Sequence, residues 1–142
     1  MRSILNSLLI LLVLVAAASA FRTQAVAVKG QLMCGDKPAS NVQVKLYDDD
    51  DGPDPDDVLD QKMTDSEGKF SLMGSTMELT PIDPEIRIYH DCNDHGKPCQ
   101  REWVIGVPNK YIYSGISAAK AMDFGVMNLE IELEGESTDC FH

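Results

Sequence analysis

The chain has 142 residues, with 23 Asp and Glu against 12 Lys and Arg, so its formal net charge at pH 7 is −11. This acidity disfavours binding to nucleic acid, whose affinity for proteins comes largely from Lys and Arg on phosphates, and direct adsorption to anionic lipid. Cations and basic protein surfaces are the favoured partners.

The amino terminus has the pattern of a secretory signal peptide. Arg2 precedes an apolar run, LLILLVLVAAASA, which ends in the small-x-small pattern Ala18-Ser19-Ala20 that signal peptidase cleaves. We therefore expect residues 1–20 to be removed and the protein to be secreted and extracellular. No later segment has the roughly 20 apolar residues of a transmembrane helix. The remaining residues 21–142 carry a net charge of −12 and suit one domain.

Short segments with hydrophobic side chains at every second position fill the rest of the chain. Val26, Val28, Leu32 and Cys34 share one face, and NVQVKLY and EIRIYH repeat the pattern. Further predicted strands are Val58–Thr64, Lys69–Met73, Glu102–Val107, Lys110–Tyr113 and Val126–Leu133. Turn-like joints separate these segments, and a short helix is predicted only near Ser117–Met122. This pattern predicts an all-β sandwich or barrel.

An acidic run connects two of the predicted strands, with eight aspartates between Asp48 and Asp60 and no cation among them. Gly52 is one residue away from its place in an EF-hand loop, so the run is not an EF-hand. A solvated loop, a weak calcium site and a basic protein partner remain as alternatives. Weakly bound calcium is the only cofactor that the sequence suggests, and its candidate ligands are Asp48, Asp49, Asp50, Asp51, Asp54 and Asp56.

The four cysteines predict two disulfides, since a secreted domain with an even number of cysteines usually pairs them. Three pairings are open from the sequence. Turn-forming residues lie between Cys92 and Cys99, so we expect these two to pair, which leaves Cys34 for Cys140. Zinc is disfavoured, because there is a single C-x₆-C spacing and the compartment is oxidising.

The sequence closely resembles the secreted transthyretin-like proteins of nematodes from about Val26 to Cys140. The resemblance rests on VKGQLMC, KPASNVQVKLYD, TDSEGKFSLMG, IDPEIRIYHDCND, KPCQREWVIGVP and DFGVMNLEIELEGESTDC. It implies a transthyretin-like, or immunoglobulin-like, β-sandwich of two antiparallel sheets with about eight strands. It implies little about the ligand, because one fold hosts many functions.

Two relatives with this fold mark the functional range. Transthyretin carries thyroid hormone in a channel formed by a tetramer, and 5-hydroxyisourate hydrolase uses histidine and arginine residues with a C-terminal Tyr-Arg-Gly-Ser. The present sequence ends Asp139-Cys140-Phe141-His142 and lacks that tetrapeptide. We therefore do not expect the hydrolase activity. The acidic surface and the expected bridge to the C-terminal tail give no sign of a tetramer, so we expect a monomer or weak dimer without the hormone channel.

The three histidines give no sign of a catalytic centre. His90 follows an apolar strand and is interpreted as a core or interface residue, whereas His95 is interpreted as a turn residue and His142 is the last residue. A weak metal site of His90, Asp91 and His95 is the alternative. The sequence shows no nucleophile elbow, HExxH helix or phosphate-binding glycine loop. We expect no catalytic residues and no enzyme.

Aromatic residues offer contact area for a partner. Trp103 alternates with apolar neighbours and is interpreted as a core residue. Tyr111 and Tyr113 fall on one face of the predicted strand KYIY and, with His95, are candidate interface residues.

Two function hypotheses follow from these features. The first is a secreted, non-enzymatic binding or adaptor protein that recognises a cell-surface component, a lipid or a small apolar ligand through its loops. The second is a structural or host-interaction protein of secretions that acts through protein–protein contacts. The aspartate run predicts weak calcium binding that bridges to anionic groups such as phospholipid heads or sulfated glycans.

Overall fold

The computed structural model describes residues 1–20, 22–50 and 56–142, with only the backbone for residues 16–20. These residues form one α-helix, ten strands and one 3-10 helix. The elements are α1 (Arg2–Ala20), β1 (Arg22–Cys34), β2 (Lys37–Pro38), β3 (Gln43–Asp48), β4 (Asp57–Met63), β5 (Lys69–Glu78), β6 (Pro84–His90), β7 (Gln100–Gly106), the 3-10 helix (Asn109–Tyr111), β8 (Tyr113–Ser114), β9 (Met122–Asn128) and β10 (Ser137–Asp139). None of the helices in these ranges is long and apolar enough to cross a membrane.

The strands form two five-stranded sheets, which confirms the predicted sandwich. The first sheet has the order β2–β1–β5, and β8 and β9 also pair with β1; the second has the order β10–β7–β6–β3–β4. All pairings are antiparallel except that of β1 with β9. The number of strands exceeds the expected eight because the ten include β2, β8 and β10, which have only two or three residues each. Segments this short carry no readable alternation.

The core lies between the sheets, where the predicted alternation places it. Val26, Val28 and Leu32 of β1 are all fully buried, and Trp103 of β7 is 3% exposed, so its interpretation as a core residue is confirmed. Side chains from the second sheet complete the core because every second residue of a strand points to the same face. They are Val44, Leu46, Ile86 and Ile88.

Two predicted elements near the carboxyl end are wrong. Residues 117–121 form bends and no helix, and Met122 already begins β9. A six-residue segment is too short to form a stable helix without tertiary support. The predicted strand Lys110–Tyr113 is instead the 3-10 helix followed by β8.

The disulfide pairing predicted from the sequence is also wrong. Cys34 pairs with Cys92, and Cys99 pairs with Cys140, with Cα–Cα distances of 5.9 and 4.5 Å. The register of β10 on β7 places Asp139 opposite Gln100, so Cys140 and Cys99 follow as neighbours across the same pair of strands. Cys34 ends β1 and Cys92 follows β6, so the first bridge joins the two sheets.

Side chains close the seam between β4 of the second sheet and β5 of the first. Lys62 Nζ donates to the Ser71 carbonyl at 3.0 Å, and the Met73 N–H donates to Asp60 Oδ2 at 3.1 Å. A Cβ on Gly74 would lie 2.5 Å from the Leu59 carbonyl oxygen, so this close approach requires glycine. The seam brings the end of β5 beside the connection between β3 and β4.

Candidate cation-binding site

Carboxylates from both sheets converge at one end of the sandwich. β3 ends at Asp48 and β4 begins at Asp57, so the acidic run forms the connection between these two strands. Two clusters of carboxylate oxygens form there, each with its atoms within 4.8 Å of one another. The first carboxylate cluster is Asp48, Asp50, Asp57 and Glu78, and the second carboxylate cluster is Asp49, Asp56 and Glu85. The two clusters together are called the acidic end.

Asp48 is the most buried member of the first carboxylate cluster, with 2% of its surface exposed. Its Oδ1 accepts a hydrogen bond from the Asp83 N–H at 2.9 Å. No hydrogen-bond partner within the described part of the chain reaches its Oδ2. A buried carboxylate oxygen without a partner is costly, so this atom needs a proton or a cation.

Electrostatic repulsion adds to the cost of that burial. Burial, the largest cause, and the negative charges of Asp50, Glu78 and Asp57 together raise the pKa of Asp48 to about 6, against the opposing hydrogen bond from Asp83. Over the described ranges, no Lys or Arg forms an ion pair with Asp48 or Asp57. The arrangement suits a bound cation that offsets the repulsion.

The second carboxylate cluster contains its own cation. Arg87 of β6 bonds to Asp56 Oδ2 at 2.6 Å and, through its Nε, to Glu85 Oε1 at 2.6 Å. The guanidinium also stacks on the Tyr47 ring, with 4.0 Å from Cζ to the ring centroid. The hydrogen bond from Arg87 lowers the pKa of Asp56. A cation of the protein itself therefore offsets part of the charge of this cluster.

The structure divides the aspartates that the sequence grouped as one calcium site. Asp48 and Asp50 belong to the first carboxylate cluster and Asp49 and Asp56 to the second, while Asp51 and Asp54 lie outside the described residues. The predicted ligand set omitted Asp57, the last residue of the predicted connection and, in the structure, the first residue of β4. It also missed Glu78, since no local pattern shows that β5 passes the acidic end.

His90 and His142 lie in different surroundings. His90 is 1% exposed, which confirms its interpretation as a core residue, and its Nδ1 accepts from the Cys92 N–H. Burial and the nearby charge of Arg101 lower the pKa of His90 to about 4. Throughout the described chain, His90, Asp91 and His95 do not group as metal ligands. His142 stacks on Tyr89 with 3.9 Å between ring centroids.

The candidate interface residues lie in three different segments of the chain. Tyr111 lies in the 3-10 helix and packs partly against the core, whereas Tyr113 pairs with Ala25 of β1. His95 has a φ of 56° in the turn after β6 and borders a cavity of about 300 Å³. An interface role for these three residues stays a prediction.

The chain matches several transthyretin-like proteins. The family model TTR-52, described as the transthyretin-like family, matches residues 29–108. Transthyretin-like protein 33 of Caenorhabditis elegans is 52% identical over 120 residues, 84% of each chain. Transthyretin-like protein 46 is 52% identical over 128 residues, 89% of this chain and 72% of its own. Transthyretin-like protein 5 is 47% identical over 137 residues, 95% of this chain and 99% of its own.

One solved structure shows only a distant likeness. A 9R-lipoxygenase from Cyanothece PCC8801 aligns with 74% of this chain and 16% of its own, at 23% identity and a TM-score of 0.39. The family match and the three C. elegans proteins span most of the sandwich. The chain belongs to the transthyretin-like family.

Proposed function

We propose that this protein is a secreted, non-enzymatic binding or adaptor protein that contacts a cell-surface component, a lipid or a small apolar ligand. Residues 1–20 have the pattern of a signal peptide that is removed during secretion, and the two disulfides fit an extracellular protein. The observation that supports the proposal best is the acidic end. It gathers seven carboxylates from two sheets at one site on a frame that a disulfide ties together.

The histidines support a role without catalysis. A general base needs a pKa near the working pH and must reach its substrate. His90 is buried with a pKa of about 4, and His142 is stacked on Tyr89. The described polar groups are therefore better suited to binding than to catalysis.

The charge of the acidic end determines which partners it can bind. Basic groups can bind its carboxylates directly, whereas phospholipid heads and sulfated glycans are anionic and need a divalent ion between the two surfaces. A small apolar ligand would use another place. The groove beside Phe70 and Val126, with a volume of about 470 Å³, is the candidate.

Surface binding by the labelled protein tests the proposal. Binding to cells and to vesicles containing an anionic phospholipid is measured with and without calcium, and the variant that changes Asp49, Asp50 and Asp56 to Asn should lose most of it. A matched control removes the same charge from an exposed loop: Glu130, Glu132 and Glu134 to Gln. Equal loss in both variants would show that only net charge matters, and would contradict a specific site.

A structural or host-interaction protein is the second candidate. The exposed methionines of β5 favour it, because Met73 and Met77 are 49% and 61% exposed on the outer face of the first sheet. Native mass spectrometry of the protein purified from its source separates the two candidates. A retained small ligand on a monomer or weak dimer supports the binding protein, whereas a stable protein complex without a ligand supports the second candidate.

A further inference from the structure

We propose that the first carboxylate cluster binds one divalent cation of the calcium type and that this ion joins the two sheets. The inference deepens the proposed function and rests on it only in naming the acidic end as the binding surface. Asp48, Asp50 and Asp57 belong to the β3–β4 connection of the second sheet, and Glu78 ends β5 of the first sheet.

Asp48 gives the observation that separates this cluster from ordinary surface acids. It is 98% buried, yet its Oδ2 has no hydrogen-bond partner within the described ranges. One of its carboxylate oxygens lies within 4.8 Å of a carboxylate oxygen of each other member. A cation at the centre of these oxygens would meet the need of the buried carboxylate and offset the repulsion between all four.

The second carboxylate cluster provides a comparison within the same molecule, because a cation already contacts its carboxylates. Arg87 donates to both Asp56 and Glu85 and so acts as the cation of that cluster. The two clusters lie on the same strand connection, because Asp48 and Asp49 are consecutive. The first carboxylate cluster has no such arginine on Asp48 or Asp57 among the described ion pairs.

The ligand atoms select the class of ion. All four are carboxylate oxygens, which suit hard cations, and the cluster contains no histidine or cysteine that would favour zinc or copper. Calcium accepts 6–8 oxygens in flexible geometry, so four side chains leave positions for water or for an anionic group of a partner. Magnesium requires a stricter octahedron, and its binding is expected to be weaker.

The position of Glu78 gives the ion a structural role. Residues 59–62 of β4 and 71–74 of β5 are joined through side chains at the seam, but Glu78 lies beyond these contacts. An ion shared by Glu78 and Asp57 would extend the seam to the first residue of β4 and the last residue of β5. Calcium should therefore stabilise the whole sandwich as well as the acidic loop.

Calorimetry and thermal unfolding with calcium chloride test the inference on the disulfide-bonded protein from a secreting host. We expect one ion to bind with a Kd on the order of 10⁻⁴–10⁻³ M, as in extracellular modules, and to raise Tm. Glu78→Gln should bind calcium at least about tenfold more weakly, because affinity depends on the charge of the ligand set. The control Glu134→Gln also removes one negative charge, but from an exposed residue outside both carboxylate clusters, and should bind as the wild type does.

Two results would overturn the site. One is no heat and no change in Tm at 10 mM calcium; the other is equal binding by the wild type and Glu78→Gln. Circular dichroism and the intact disulfide mass check that Glu78→Gln is folded, and Asp57→Asn provides a second variant of the same cluster. Calcium binding without surface binding would contradict the proposed function alone, and surface binding through the acidic end without calcium binding would contradict the site alone.

Discussion

The two ends of the sandwich are held by different means. At the disulfide end, defined by the two disulfides and Arg101, Cys34–Cys92 links the sheets covalently. Arg101 there donates to Glu136 and to three backbone carbonyls, so its buried charge is fully paired. At the acidic end, one oxygen of the buried Asp48 carboxylate, Oδ2, lacks a hydrogen-bond partner among the described residues. Among the described residues, the buried atom without a hydrogen-bond partner at the disulfide end is the Nε2 of His90, whereas at the acidic end it is a carboxylate oxygen, which a cation can complete.

Removing the inter-sheet disulfide should have the largest effect on stability. Cys34 and Cys92 are 58 residues apart, and loop entropy predicts that Cys34→Ala with Cys92→Ala lowers the free energy of unfolding by about 4 kcal/mol. Urea unfolding measures this loss. Cys99→Ala with Cys140→Ala opens a loop of similar length, so a comparable loss is expected. A peptide map that joins Cys92 to Cys99 would contradict the pairing itself.

The disulfide end shows what the sequence could not reveal. The count of cysteines correctly predicted two bridges, but the pairing depends on the register of β10 on β7, where Asp139 lies opposite Gln100. β10 has three residues, too few to be recognised as a strand. By contrast, the long alternation of apolar residues in β1 identified Val26 and Val28 as core residues, because every second side chain of a strand points to the same face.

The acidic end was predicted in part for the same reason. The density of aspartates in one segment pointed to cation chemistry, and Asp48 and Asp50 are in the first carboxylate cluster. Glu78 and Arg87 come from distant segments, and only the packing of the sheets brings them to the loop. A sequence shows how many charges a segment carries, but their neutralisation is decided by tertiary contacts.

Arg101→Met should have the next largest effect, because it leaves the carboxylate of Glu136 buried without its cation. We expect a loss of about 3 kcal/mol in the free energy of unfolding, measured by urea. The double variant Arg101→Met with Glu136→Leu removes the orphaned charge and should be more stable than the single variant. If the double variant is less stable than the single one, then packing by Glu136, including its bond to the Trp103 indole, matters more than its charge.

His90 should make the disulfide end sensitive to acid. Its folded-state pKa is lowered from 6.5 to about 4 by burial first and by Arg101 second, while Glu136 and Asp94 oppose the shift. Below pH 6.5 the unfolded state therefore binds a proton that the folded state does not, so stability falls as pH falls from 6.5 towards 4. We expect a loss of about 2 kcal/mol between pH 7 and pH 5 that His90→Gln does not show. Identical pH profiles for both proteins would contradict it.

The smallest change in stability should come from Arg87, and it tests directly whether neutralisation separates the two carboxylate clusters. Among the described residues, Arg87 bonds only to Asp56 and Glu85, whereas Arg101 also satisfies three backbone carbonyls. A Gln amide can still donate to one carboxylate, so Arg87→Gln should lower the free energy of unfolding by only about 1 kcal/mol. The variant also leaves Asp49, Asp56 and Glu85 without their cation, and carboxylates held within 4.8 Å of one another then repel as those of the first cluster do. Calorimetry should therefore count two calcium ions where the wild type binds one, and Arg87→Lys, which keeps the charge, should still bind one. If Arg87→Gln binds a single calcium ion, the second cluster lacks a cation-binding geometry even without the positive charge of Arg87. The buried Asp48 carboxylate, and not negative charge alone, would then be what makes the first cluster a calcium site.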